Sequence, residues 1–76
     1  MAQYEIDLRG EICPYPMTET RKKMEELSQG DRLVVLVDYP LAVDNVPRWA
    51  ENAGHTVVEV VKTDSSEWKI VLEKAA

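Results

Sequence analysis

The sequence predicts an α+β two-layer sandwich with elements in the order β-α-β-α-β-β. Three observations carry that expectation. Apolar residues recur at every second position near both ends of the chain, at Tyr4, Ile6 and Leu8 between charged residues and again at Trp68, Ile70 and Leu72, which alternate with Lys69, Val71 and Glu73. Two intervening stretches, 16–27 and 41–53, space their apolar residues at helical intervals. The chain has 76 residues, enough for one small domain spanning 1–76, and two layers are the economical way to cover a sheet at that length.

The first strand is Tyr4-Glu5-Ile6-Asp7-Leu8-Arg9, ended by Gly10. From Pro16 to Leu27 the period changes. Met17, Thr20, Met24 and Leu27 share one helical face, and Arg21, Lys22, Lys23, Glu25 and Glu26 lie mostly on the other. Proline suits a helix start because its missing N–H has no partner inside the helix. Ser28-Gln29-Gly30-Asp31 closes the helix.

Leu33-Val34-Val35-Leu36-Val37 is a continuous apolar run, as in a central strand, and Asp38-Tyr39-Pro40 is a turn signal. Leu41 to Ala53 is the second helix, with Val43, Val46, Trp49, Ala50 and Ala53 on its apolar face. Pro47 leaves two alternatives: a late start with Asp44 as N-cap, or a kink. His55 to Lys62 is the third strand, around Val57, Val58, Val60 and Val61. Thr63-Asp64-Ser65-Ser66 is a hairpin turn into the fourth. The open sheet face is expected to carry the polar positions. No internal repeat, linker or low-complexity segment interrupts the order.

Fourteen acidic against nine basic residues give a net charge of −5, which argues against direct nucleic-acid binding. The single cysteine excludes an internal disulfide. The polar N-terminus shows no leader, and no apolar run approaches the roughly 20 residues of a membrane-spanning helix. The expected location is the cytoplasm.

That cysteine, Cys13, lies in Gly10-Glu11-Ile12-Cys13-Pro14-Tyr15-Pro16, between the first strand and the first helix. A lone cysteine is commonly a buried small hydrophobe. Its place in a proline-flanked loop, outside both apolar stripes, argues for presentation instead. A thiolate is the reactive species, and a helix mouth favours it. Pro14 and Pro16 remove two first-turn donors and add stiffness, holding the sulfur in a narrow set of positions. Arg9 before the cysteine and Arg21, Lys22 and Lys23 after it supply positive charge nearby in sequence, opposed by Glu11 and Glu19. One cysteine and one histidine do not make a metal site, and His55 is read as a structural or surface residue rather than a base for Cys13. Tyr15, beside the thiol, is either a half-exposed loop residue or part of a docking surface. Trp49 and Trp68 are read as core.

Asp7-Leu8-Arg9-Gly10-x-x-Cys13-Pro14-x-Pro16, with the remaining β-α-β-β order, resembles the TusA/SirA-like family of sulfur-carrier proteins. Gly30-Asp31, Asp44-x-Val46-Pro47-x-Trp49 and Gly54-His55 extend the resemblance over nearly the whole chain. It implies a four-stranded mixed sheet with two helices on one face. It also implies a sulfurtransferase chemistry in which Cys13 takes up a sulfane sulfur as a persulfide, framed by Gly10, Pro14 and Pro16, with no cofactor. Ile12 to Pro16, Glu19 and Val46 to Ala50 look most like the YeeD branch. That branch implies thiosulfate as a substrate, a role in thiosulfate uptake and sulfur assimilation, and a membrane-protein partner of the YeeE type. Partners would otherwise be sulfur donor and acceptor proteins or small thiols. Tyr15, Glu19, Arg21 and Lys22 are the candidate anion or partner contacts. The alternative is a regulatory or protein-docking module of the same fold in which Cys13 is dispensable.

Overall fold

A computed structural model describes residues 2–10 and 15–75, with Tyr15 and Pro16 described by their backbone alone. The elements follow the expected order: β1 (Gln3–Asp7), α1 (Tyr15–Glu26), β2 (Arg32–Val37), α2 (Pro40–Asn52), β3 (Thr56–Asp64) and β4 (Glu67–Glu73). The strands are arranged β1-β2-β4-β3. β1 is parallel to β2, and β4 runs antiparallel to both of its neighbours, so the sheet is mixed. β1, β2 and β3 therefore point the same way, and their carboxyl ends lie together at one end of the sheet.

Both helices cover the same sheet face. Leu8, Leu33, Val35, Val37, Ile70 and Leu72 from the sheet form one cluster with Met24 and Leu27 of α1 and Ala42, Val46 and Ala50 of α2. Trp49 and Trp68 pack against that cluster partly buried. Of the residues expected inward on β1, Leu8 is buried and Ile6 half-buried, but Tyr4 is 40% exposed. β1 is an edge strand, and the Lys23 ammonium lies over Tyr4, 5.3 Å from the ring centre.

Three local expectations change. α2 begins at Pro40, which excludes the late start at Asp44. Asp44 is instead an exposed residue inside the helix, paired with Arg48 at 2.7 Å. Pro47 sits in the interior of α2 and cannot donate to the Val43 carbonyl one turn back. The doubled Val-Val pattern of β3 comes from a bulge: Val57 faces Leu72 and Glu59 faces Val71, which leaves Val58 without a register partner.

The open face is not uniformly polar. Val34 and Val71 are register partners there, only 5% and 7% exposed, with Leu36 half-buried beside them. Rim charges screen this small apolar centre, among them the Arg32–Glu73 pair at 3.1 Å. No helix among the described residues is long and apolar enough to cross a membrane.

Candidate functional site

The first strand delivers the chain to the carboxyl end of the sheet. Leu8 continues the parallel ladder past the end of β1, its N–H donating to the Leu36 carbonyl at 2.8 Å. The next two residues are tied to three strands. The Arg9 guanidinium grips the Asp7 carboxylate through Nε at 2.9 Å and Nη2 at 2.7 Å. It also reaches Glu67 at the start of β4 through Nη1 at 3.3 Å. The Arg9 backbone N–H donates to Asp7 Oδ1 at 3.1 Å. The Gly10 N–H donates to Asp38, just past the end of β2, with Oδ1 at 2.9 Å and Oδ2 at 3.0 Å.

These contacts set the local electrostatics. The hydrogen bonds from Arg9 hold the Asp7 carboxyl down to about 2, and the same pairing raises Arg9. The positive charge expected of Arg9 is thus committed to Asp7 and Glu67.

Cys13 and Pro14 lie outside the described residues, as do Glu11 and Ile12. Gly10, with φ +89°, is the described residue before them, and α1 begins at Tyr15 after them. Pro16 falls in the first turn of α1, so Tyr15, Met17 and Thr18 supply the backbone donors there.

The other candidate contacts separate. Glu19 and Lys22 come together, with 3.8 Å between Lys22 Nζ and Glu19 Oε2. They line a groove of about 330 Å³ between α1 and β1, with Ile6 and Leu8 in its floor. Arg21 is exposed and does not line that groove.

His55 is remote from the loop root. It precedes β3 and so lies at the amino end of the sheet, opposite Gly10. Its ring packs against Trp49 at 5.8 Å, and Nδ1 accepts from the Ala75 N–H at 3.3 Å. Burial, with the nearby Lys74 charge, lowers its pKa and favours the neutral ring. Asp31 shares that end of the sheet, accepting from the Ala2 N–H and the Ser28 N–H, both at 3.0 Å. Among the described residues no group of three or more His, Asp or Glu converges as metal ligands would.

Sequence reasoning missed Asp38 as a site residue. It appears there only as part of a turn signal. The detectable hint is a carboxylate at the carboxyl end of a strand that runs parallel beside the loop's own strand.

The family model described as Sulfurtransferase TusA matches residues 4–74. The chain belongs to that family. A protein of Methanocaldococcus jannaschii is 43% identical over 74 residues, covering 97% of each chain. One of Archaeoglobus fulgidus is 44% identical over 69 residues, covering 91% of this chain and 78% of its own. One of Escherichia coli, TsuB, is 30% identical over 71 residues, covering 93% and 95%. All three names include the words "Putative sulfur carrier protein". A SirA-like protein of Desulfitobacterium hafniense has a solved structure that superposes with a TM-score of 0.85 at 27% identity, covering 96% of this chain and 99% of that one. The likeness confirms the α+β sandwich. Family and relatives together point to sulfur carriage.

Proposed function

We propose that this TusA-family chain, acting as one domain over 1–76, carries sulfane sulfur as a persulfide on Cys13. The observation that carries the reading is a count within the family match. The match covers residue 13, and Cys13 is the only cysteine in the chain. Any persulfide this protein forms is therefore on Cys13.

In the loading step the Cys13 thiolate attacks the outer sulfur of a donor. With a protein or small-molecule persulfide, a new S–S bond forms to Cys13 and the donor thiolate leaves. With thiosulfate, the same bond forms and sulfite leaves. In discharge, an acceptor thiolate attacks the terminal sulfur and the Cys13 thiolate departs. Each step exchanges one S–S bond for another, so no external oxidant enters. With no second cysteine, no internal thiol can resolve the persulfide, and discharge is intermolecular.

Gly10, Pro14 and Pro16 frame the loop in this reading. Tyr15, Glu19, Arg21 and Lys22 are the nearby residues available to a partner or an anionic donor. Glu19 and Lys22 neutralise one another in part, which leaves Arg21 as the cation best able to attract thiosulfate. The setting is the cytoplasm, with thiosulfate uptake the assimilatory route and a membrane protein of the YeeE type the partner at its entry. The resemblance in the Cys13 segment supports that assignment.

Intact-mass spectrometry after incubation with thiosulfate, and separately with glutathione persulfide, tests the reading. One added sulfur atom is expected, removable by a reductant and absent in Cys13→Ala. An unchanged wild-type mass with both donors would falsify the carrier role. Full biological activity in Cys13→Ala would favour a docking module instead.

A further inference from the structure

We propose that the free edge of β1 and the groove beside it take up an extended segment of a partner protein, apolar and basic at alternate positions, as a further strand of the sheet. The site is independent of the sulfur chemistry read at Cys13. β1 is one edge of the sheet. The Ala2 carbonyl accepts from the Arg32 N–H, and the Leu8 N–H donates to the Leu36 carbonyl, both at 2.8 Å. Ala2, Tyr4, Ile6 and Leu8 thus turn their backbone groups toward β2. Gln3, Glu5 and Asp7 turn an N–H and a C=O each away from the sheet, and among the described residues nothing bonds to these groups. The opposite edge differs. β3 is blunted by register shifts between Val57 and Glu59 and between Lys62 and Asp64, whereas β1 keeps an unbroken register and contains no proline.

The groove of about 330 Å³ between α1 and β1 gives this edge a place for side chains. Side chains of an added strand alternate between the two sheet faces. Those level with Tyr4 and Ile6 enter the groove, where aliphatic residues cover the exposed Tyr4 and the half-buried Ile6. Those level with Gln3 and Glu5 lie on the open face, and charge selects them. On the helical wall Lys22 pairs with Glu19 at 3.8 Å and Lys23 with Glu26 at 3.6 Å, and on β1 Asp7 is held by Arg9. Glu5 lies across from Val34 and forms no ion pair among the described residues. Its carboxylate, on a chain of net charge −5, favours lysine or arginine on the incoming strand. A second copy of this chain fits the edge poorly. Antiparallel pairing about the middle of β1 sets Glu5 against Glu5, and like charges directly opposite destabilise a sheet.

The probe is a blocked peptide alternating valine with lysine, titrated into the isotope-labelled full chain and followed by NMR. At saturation the Gln3, Glu5 and Asp7 amides should exchange on the order of tenfold more slowly, with the amides of β3 unaffected. N-methylation of every second peptide amide is made in both phases. One phase removes the donors that face β1 and should weaken binding on the order of tenfold, while the other keeps them and should bind within about threefold of the parent peptide. Replacing the peptide lysines by glutamate should weaken binding about threefold or more, and Glu5→Lys should reverse that preference. The methylated peptides need no variant of the protein to fold. Absence of binding, protection that spares Gln3 and Glu5, or equal affinity of the two methylated peptides overturns the proposal. Equal binding of the lysine and glutamate peptides to wild type overturns the choice of a basic partner. Protection of the same amides that grows with protein concentration, without peptide, assigns the edge to a second copy and overturns the proposal as well.

Discussion

Thr20 presents a residue-level conflict inside α1. Its side chain is fully buried on the inner face, and among the described residues its Oγ1 has no hydrogen-bond partner. A buried hydroxyl without a partner pays its desolvation in full. Valine has nearly the same shape without the hydroxyl. Thr20→Val is expected to stabilise the fold by about 1–3 kcal/mol, read as a higher urea midpoint at unchanged slope. Asp7 and Asp31 give a second residue-level prediction. Arg9 holds Asp7 at about 2, and hydrogen bonds from the Ser28 and Ala2 N–H groups lower Asp31. Both folded pKa values lie below the unfolded value of 3.8. The stability they contribute is thus present above that value and is lost as pH falls through the folded values. Thermal midpoints taken from about pH 5 down to about pH 2 should decline, and less steeply in Asp31→Asn. High salt should shrink the Asp7 share, because Asp7 is exposed, and should leave more of the Asp31 share.

At the scale of elements, local periodicity carried most of the fold into view. Each strand and helix falls near its expected place because burial on one sheet face dictates period 2 in the strands and 3.6 in the helices. The start of α2 was not legible for a physical reason. Its N-cap, Tyr39, makes no side-chain capping bond, while Asp44 carries the chemistry of a cap and serves as half of an ion pair. Tertiary packing of Ala42, Val46 and Ala50 extends the helix through Pro47, against the local preference. Pro47→Ala should restore a donor for the Val43 carbonyl. The expected gain is about 1–3 kcal/mol by chemical denaturation, and no gain would mean that the proline costs the helix nothing where it stands. The site was legible only in part. Cys13 and its prolines are contiguous and can be read directly. The ties from Gly10 to Asp38 and from Arg9 to Glu67 join residues 28 and 58 apart in sequence, and they follow from strand order rather than local pattern.

At the scale of the molecule, the sheet has two chemically different ends. The carboxyl ends of β1 and β2 bring Arg9, Gly10 and Asp38 together, next in the chain to the segment that holds Cys13. The amino ends gather contacts that close the structure: Asp31 with Ala2, His55 with Ala75, and Lys74 Nζ on the Met24 carbonyl at 2.6 Å. The two ends should therefore separate stability from sulfur transfer. His55 tests this most cleanly, because its titration lies in an accessible pH range. Its folded pKa is lowered, chiefly by burial, from an ordinary value of 6.5. The unfolded chain binds the proton more readily, so stability is full above about 6.5 and falls as pH drops toward the folded value. His55→Phe keeps an aromatic ring against Trp49 and removes the titration. It should abolish the part of the thermal-midpoint decline that begins near pH 6.5. Sulfur loading per folded molecule should stay within about twofold of wild type, because no step at Cys13 passes through that end of the sheet. A loading defect in folded His55→Phe at neutral pH would show that the two ends are coupled.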